Sequence, residues 1–221
     1  MRPSDVPNVS HPLGTFAAVL LPPTCPGCGH IGAAPCAACV DALVRPAPVP
    51  VPDGLDRCVA LLGYEGVGRE LVARIKYRNH RAVLRWLAGG MATLVRRDEV
   101  DLVTWAPTTV GRRRSRGFDH AELLARHVAA ELGLPLRVAL RRRPGPAQTG
   151  RGLDERRDGP SFVGLSDVIV GRRVLLVDDV VTTGATFAAA GRALRVAGAS
   201  GVLGLAAAHP RRGRGRSGAA A

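Results

Sequence analysis

Two adjacent aspartates close an apolar run in "VLLVDDVVTTGAT" (Val174 to Thr186), and three threonines and a glycine follow within seven residues. Carboxylates do not attract phosphate. They accept hydrogen bonds from neutral hydroxyls or hold a cation such as Mg2+. Thr182, Thr183 and Thr186 add hydroxyl donors, and Gly184 lets the backbone approach a ligand closely. The N–H groups of the turn and of a helix start form an anion site. Val180, Val181 and Ala185 carry the backbone between these groups. The segment thus offers a phosphate cradle beside two acceptors for hydroxyls, the two features of a phosphorylated sugar. A helix cap with solvated aspartates would need one such residue and not the whole set. A receiver-type phosphoacceptor would end an early strand with "LLVDD", whereas here the stretch lies late in the chain and carries a Thr-Gly turn.

A second cluster is spaced for metal binding. Cys25, Cys28, Cys36 and Cys39 form C-x2-C-x7-C-x2-C, with Pro26, Gly27 and Gly29 allowing the sharp bends of a knuckle. Two such turns close a tetrahedral sulfur site, which Zn2+ favours. The segment has little apolar core, so the metal would supply its folding energy. Disulfides and an iron site are the alternatives; a cytoplasmic setting opposes the first. His30 reads as a bystander, and Cys58, inside a strand pattern, reads as a buried thiol.

The elements that must position these groups follow from periodicity. Strand patterns cover Arg57–Tyr64, Val100–Pro107, Arg173–Val177 and Gly201–Ala208. Helical spacing links Val67, Leu71 and Ile75, then Val83, Leu87, Met91 and Leu94. Asp119 to Gly133 predicts a helix with an acidic cap, Glu122 three residues on and a terminal glycine. A further helix is expected over about 185–197. Strands alternating with helices predict an α/β domain with a mainly parallel sheet, in which ligands sit outside the carboxyl ends of the strands. Composition divides the chain into residues 1–54, a cysteine knuckle and Pro-rich spacer; 55–209, the α/β domain; and 210–221, a basic Gly/Arg tail expected to be disordered.

The chain has 221 residues and a formal net charge of +13, carried almost wholly by arginine. Arginine's planar fork suits phosphate oxygens, on a small ligand or a nucleic acid, although a GC-rich coding bias gives the same excess. No run reaches the length needed to span a bilayer. "LGTFAAVLLPP" (Leu13 to Pro23) has no basic cluster before it and no small-residue cleavage pattern after it. Neither membrane insertion nor a secretory signal is expected, and the cytoplasm is the expected location.

All 13 positions of Val174–Thr186 resemble the phosphoribosyl pyrophosphate (PRPP) signature of type I phosphoribosyltransferases. Over about residues 16–208 the chain resembles the ComF family, linked to DNA uptake in competent bacteria. The resemblance rests on the four-cysteine knuckle after "LLPPTCPGCG", "IKYRNH" (Ile75–His80), "RRRSRGFDHAELLA" (Arg112–Ala125), the PRPP signature and "QTGRGLDERRDGPSF" (Gln148–Phe162). The last departs from the commoner pattern, with Asp158-Gly159-Pro160 where an asparagine follows the arginine cluster. The resemblance implies a type I phosphoribosyltransferase-like fold with a small zinc-knuckle subdomain. It implies that Asp178 and Asp179 contact the ribose 2′ and 3′ hydroxyls, that Val180–Thr186 wrap the 5′-phosphate, and that Mg2+ accompanies PRPP. It makes "APTT" (Ala106–Thr109), with Pro107 and Thr108, the pyrophosphate loop, and Arg113, Arg114 and Arg116 candidate clamps, unless they form only a solvated basic surface. The Gly/Pro-rich "LRRRPGPAQTGRGLDERR" suggests a mobile lid or plain disorder. Lys76 and Tyr77 close a predicted helix, where a cation is favourable without any ligand. Two functions are expected: transfer of a 5-phosphoribosyl group from PRPP, or a catalytically inactive adaptor that binds PRPP or a ribose 5-phosphate-containing nucleotide and engages DNA or a competence protein through its knuckle and basic surface.

Overall fold

A computed structural model describes residues 24–33, 35–75, 81–109, 118–143 and 160–211. The segments holding Lys76 to His80, Arg112 to Arg116, Gln148 to Gly159 and most of the basic tail lie outside the described residues.

The elements in chain order are α1 (Ala37–Asp41), β1 (Arg57–Gly63), α2 (Gly66–Arg74), α3 (Arg81–Ala92), a 3-10 turn (Arg97–Glu99), β2 (Leu102–Trp105), α4 (His120–Leu132), β3 (Leu140–Arg142), β4 (Phe162–Gly164), α5 (Ser166–Ile169), β5 (Arg173–Val180), α6 (Ala185–Val196) and β6 (Gly201–His209). A four-stranded sheet runs β1-β6-β5-β2 with every pairing parallel, and β3 and β4 form a separate antiparallel pair. This is the parallel sheet with flanking helices that the alternation of elements predicts.

Both faces of the sheet are covered, as a parallel sheet requires. On one face Val103, Trp105, Leu175, Val177, Leu203 and Leu205 pack against α2, α3 and α4. On the other, Leu102, Val174, Leu176, Val202 and Ala206 pack against α6, the β3–β4 pair and Leu55. Cys58 lies in this second core, and burial pushes its thiol up to about 12. The Pro-rich run expected as a stiff spacer lies against the domain. Gly63 N–H donates to the Val44 carbonyl, Arg192 pairs with Asp53, and a Cβ at Gly54 would stand 2.5 Å from the backbone N of Arg192.

The long helix begins and ends as its sequence directs. The Asp119 side chain accepts the Ala121 N–H at 3.1 Å, and Gly133 stops the helix at φ 62°. Glu122 departs from the expected capping box: it pairs with Arg126 at 3.1 Å, one turn along the exposed face. β5 extends three residues past Val177, because the nine-residue β6 offers partners for Asp178 and Val180 at Ala206 and Ala208.

At the amino edge of the sheet, Arg173 holds Asp101 at 2.6 Å and lowers its carboxyl pKa to about 2. A carboxylate held below its ordinary value of about 4 stabilises the fold above that pH and ceases to do so as pH falls toward the depressed value. Asp101→Asn is therefore expected to lower Tm at pH 7, and the gap from wild type should close as pH is taken down to about 2. Parallel melting curves across that range check this.

Candidate functional site at the carboxyl edge of the sheet

Parallel register brings three segments to one edge. Trp105 pairs with Val177, and Val177 with Leu205, so the loop after β2, the aspartates of β5 and the end of β6 lie side by side. Asp178 Oδ1 accepts the Asp179 N–H and Asp179 Oδ1 accepts the Val180 N–H, both at 2.8 Å. These bonds orient the two carboxylates. Burial, then the charge on Asp179, raises the Asp178 carboxyl well above the carboxylate range; the Asp119 charge adds to this. A hydroxyl donor or a cation placed between them would relieve the same repulsion.

The turn beyond them is built on Gly184, at φ 79°, which starts the 12-residue α6. Thr183 Oγ1 accepts the Ala185 N–H at 3.4 Å, while Thr182 and Thr183 are exposed and Thr186 is half-buried. Val181 is buried below the turn, its N–H donating to the Ala208 carbonyl at 3.0 Å. Gly184 is required twice: its φ disfavours any side chain, and a Cβ there would meet Pro52 Cγ at 3.0 Å.

Asp119 joins the pyrophosphate-loop candidate to this edge. Its Oδ2 accepts the Thr108 N–H at 2.8 Å while Oδ1 caps α4, and the carboxylate is 6% exposed. Arg142 Nη1 donates to the Pro107 carbonyl at 3.3 Å, and its guanidinium lies 5.4 Å from the centre of the Phe162 ring. Sequence reasoning identified Asp119 as a cap but missed its bond to Thr108, which depends on how β2 and α4 approach each other. Arg113, Arg114 and Arg116 fall outside the described residues. A groove of about 710 Å3 between β4 and α6, lined by Phe162, Ala193 and Val196, contains none of the candidate residues.

The four thiols also come together. Cys25, Cys28, Cys36 and Cys39 place their sulfurs within 4.8 Å of one another, and Cys28 and Cys36 Sγ are 3.6 Å apart. Tetrahedral zinc with Zn–S near 2.3 Å sets sulfurs about 3.8 Å apart, so the cluster can hold zinc. Burial opposes ionisation of Cys25, but the N–H groups of Cys36, Cys28 and Gly27 overrule it and lower that thiol to about 6. A Cβ at Gly27 would reach within 2.7 Å of Cys39 Sγ and 3.1 Å of Val67, so the cluster packs against α2 through this glycine.

The model of the phosphoribosyl transferase domain matches residues 119–218, from α4 through β6. The match covers 100 of the 221 residues, and the parallel sheet with flanking helices is like the type I phosphoribosyltransferase fold. No curated protein matches it. Among solved structures it is similar to the glutamine PRPP amidotransferase of B. subtilis complexed with ADP and GMP (23% identity, TM-score 0.43), covering 60% of this chain and 30% of that one. It is also similar to a purine phosphoribosyltransferase from Pyrococcus horikoshii (18%, 0.37; 54% of this chain, 69% of that). Adenine phosphoribosyltransferase from Thermoanaerobacter pseudethanolicus gives 16% and 0.40, over 58% of this chain and 82% of that one. The chain spans less than a third of the amidotransferase's length. No helix among the described residues is long and apolar enough to cross a membrane.

Two outcomes test these local arrangements. Gly184→Ala should cost about 1–2 kcal/mol in chemical denaturation, since the left-handed backbone penalises any Cβ. Elemental analysis of protein purified without chelator should find one zinc per chain, and Cys28→Ser/Cys39→Ser should fall well below that.

Proposed function

We propose that the edge formed by Asp178–Thr186 binds PRPP and that the chain transfers, or at least binds, a 5-phosphoribosyl group. One observation carries the proposal: a strand delivers two oriented carboxylates directly into a left-handed glycine turn at the N-terminus of a 12-residue helix. The N–H groups from Thr183 to Thr186 and the threonine hydroxyls would take the 5′-phosphate, aided by the positive end of the helix. Asp178 and Asp179 would accept the ribose 2′ and 3′ hydroxyls. The backbone of Pro107 and Thr108, steadied by Asp119 and Arg142, would lie toward the pyrophosphate, with Arg113, Arg114 and Arg116 as further candidate clamps.

In such a transfer the bond from ribose C1 to pyrophosphate breaks with its electron pair leaving on pyrophosphate. C1 passes through an oxocarbenium-like state, and the acceptor's lone pair forms the new bond. The chain's part is to orient the ribose from its hydroxyl and phosphate ends and to stabilise the departing charge with fixed donors. The adjacent carboxylates fit a divalent cation, and Mg2+ bound with PRPP would neutralise charge on the leaving group. The cysteine cluster would hold structural zinc.

A ComF-like link to DNA uptake in the cytoplasm is part of this proposal. The net charge of +13 supports salt-sensitive contact with phosphate backbones. An adaptor that keeps the pocket without catalysis is the second reading.

Calorimetric titration with PRPP and Mg2+ tests the site. Wild type should bind, and Asp178→Asn/Asp179→Asn should weaken binding at least about tenfold, the scale of two lost charge-assisted hydrogen bonds. No binding by wild type would sink the phosphoribosyl reading. Binding without pyrophosphate release across a panel of bases would favour the adaptor.

A further inference from the structure

Val181 is the last residue before the Thr182–Thr186 turn. Its N–H makes a normal rung to the Ala208 carbonyl at 3.0 Å. Rungs of a parallel pair are evenly spaced, so the next would run from the N–H of residue 210 to the Val181 carbonyl. Residue 210 is proline and has no N–H. The Val181 carbonyl is instead 2.7 Å from Nδ1 of His209, a residue only 3% exposed. A carbonyl oxygen can only accept, so Nδ1 is the donor and carries the proton. His209 is itself fixed from the other side: it pairs with Gly63 in β1, and its carbonyl accepts the Tyr64 N–H at 2.9 Å.

We infer that His209 is a positioning residue for the phosphate turn: its imidazole N–H replaces the rung that Pro210 removes and holds the start of the turn in register with β6. Val181 is then held at both polar groups, by Ala208 and by His209, while its side chain is buried in the core under α6. The amides from Thr182 onward start from a fixed carbonyl and not from a frayed strand end. The link to a phosphate ligand rests on the phosphoribosyl reading; the pin itself does not.

The test uses the full chain and two readouts. Amide hydrogen exchange is followed without ligand, and ribose 5-phosphate is titrated calorimetrically. His209→Leu should speed exchange at Val181, whose N–H makes the neighbouring rung to Ala208, about tenfold and weaken ribose 5-phosphate binding by a similar factor, the scale of one unsatisfied buried carbonyl. Exchange in the middle of β5 and β6 should not change. His209→Asn places an amide N–H the same number of bonds from the backbone and should recover most of both effects. Adding Pro210→Ala to His209→Leu returns the missing backbone N–H and should also recover them. Unchanged exchange at Val181 in His209→Leu, or failure of both rescues, overturns the inference. If His209→Leu does not fold, recovery of folding on adding Pro210→Ala supports the replaced rung, and no recovery overturns it. If wild type does not bind ribose 5-phosphate, the phosphoribosyl reading falls, while the exchange experiment still decides the pin.

Discussion

A parallel ladder sends every strand's carboxyl end to one edge, and at that edge the ladder runs out of backbone partners. β5 lies between β6 and β2, so Asp178, Asp179, the loop after Trp105 and the end of β6 must all emerge together. Around the last rungs, side chains add to the hydrogen bonding. Asp119 holds Thr108, the two aspartates hold the N–H groups that follow them, and His209 holds Val181. Polar groups leaving a buried sheet cannot go unpaired without cost. The residues at the edge are polar for that reason as well as for any ligand.

The charge at this edge opposes that of the chain. Against a net charge of +13, it concentrates Asp119, Asp178 and Asp179 within electrostatic reach of one another; burial first, and then the charges of Asp179 and Asp119, raise Asp178 well above the ordinary carboxylate range. A site selecting only phosphate would not be built this way. The arrangement separates two tasks over one turn of chain. The carboxylates suit neutral hydroxyls or a cation, and the amides at the start of α6 suit an anion. Gly184 divides the two, and its positive φ turns the backbone from strand to helix within a few residues.

Most of the sheet and its helices could be read from periodicity, because β5 is apolar from Val174 to Val177 and α4 carries its own cap and stop at Asp119 and Gly133. The strand order could not be read: nothing in "GVLGLAAAH" says that it will lie between β1 and β5. The three-residue strands Leu140–Arg142 and Phe162–Gly164 are too short to show alternation. The aspartates and threonines were legible because the pattern is local. The support beneath them was not, since Asp119 to Thr108 and Pro52 to Gly184 join residues far apart in sequence. His209 was the least visible. Its role depends on Pro210, which reads in sequence only as a strand stop, and on the register of β6 against β5.

The cysteine segment and the Pro-rich run bear on the same turn. Residues 24–56 have little core of their own: Cys25 and Cys39 are buried, and Leu55 is borrowed by the core under α6. A segment this small is held by cross-links and by the surface it covers. The cluster docks on α2 through Gly27 and Val67; the run then follows the domain past Val44 and Asp53 until Pro52 meets Gly184 and Gly54 meets α6. The close approach at Gly54 and Gly191 leaves no room for a Cβ at either glycine. Any shift of the run is therefore felt by the helix whose N-terminus is the proposed anion cradle. Order in the cysteine cluster and order in the turn are joined by packed backbone, in contrast to the independence a flexible spacer would allow.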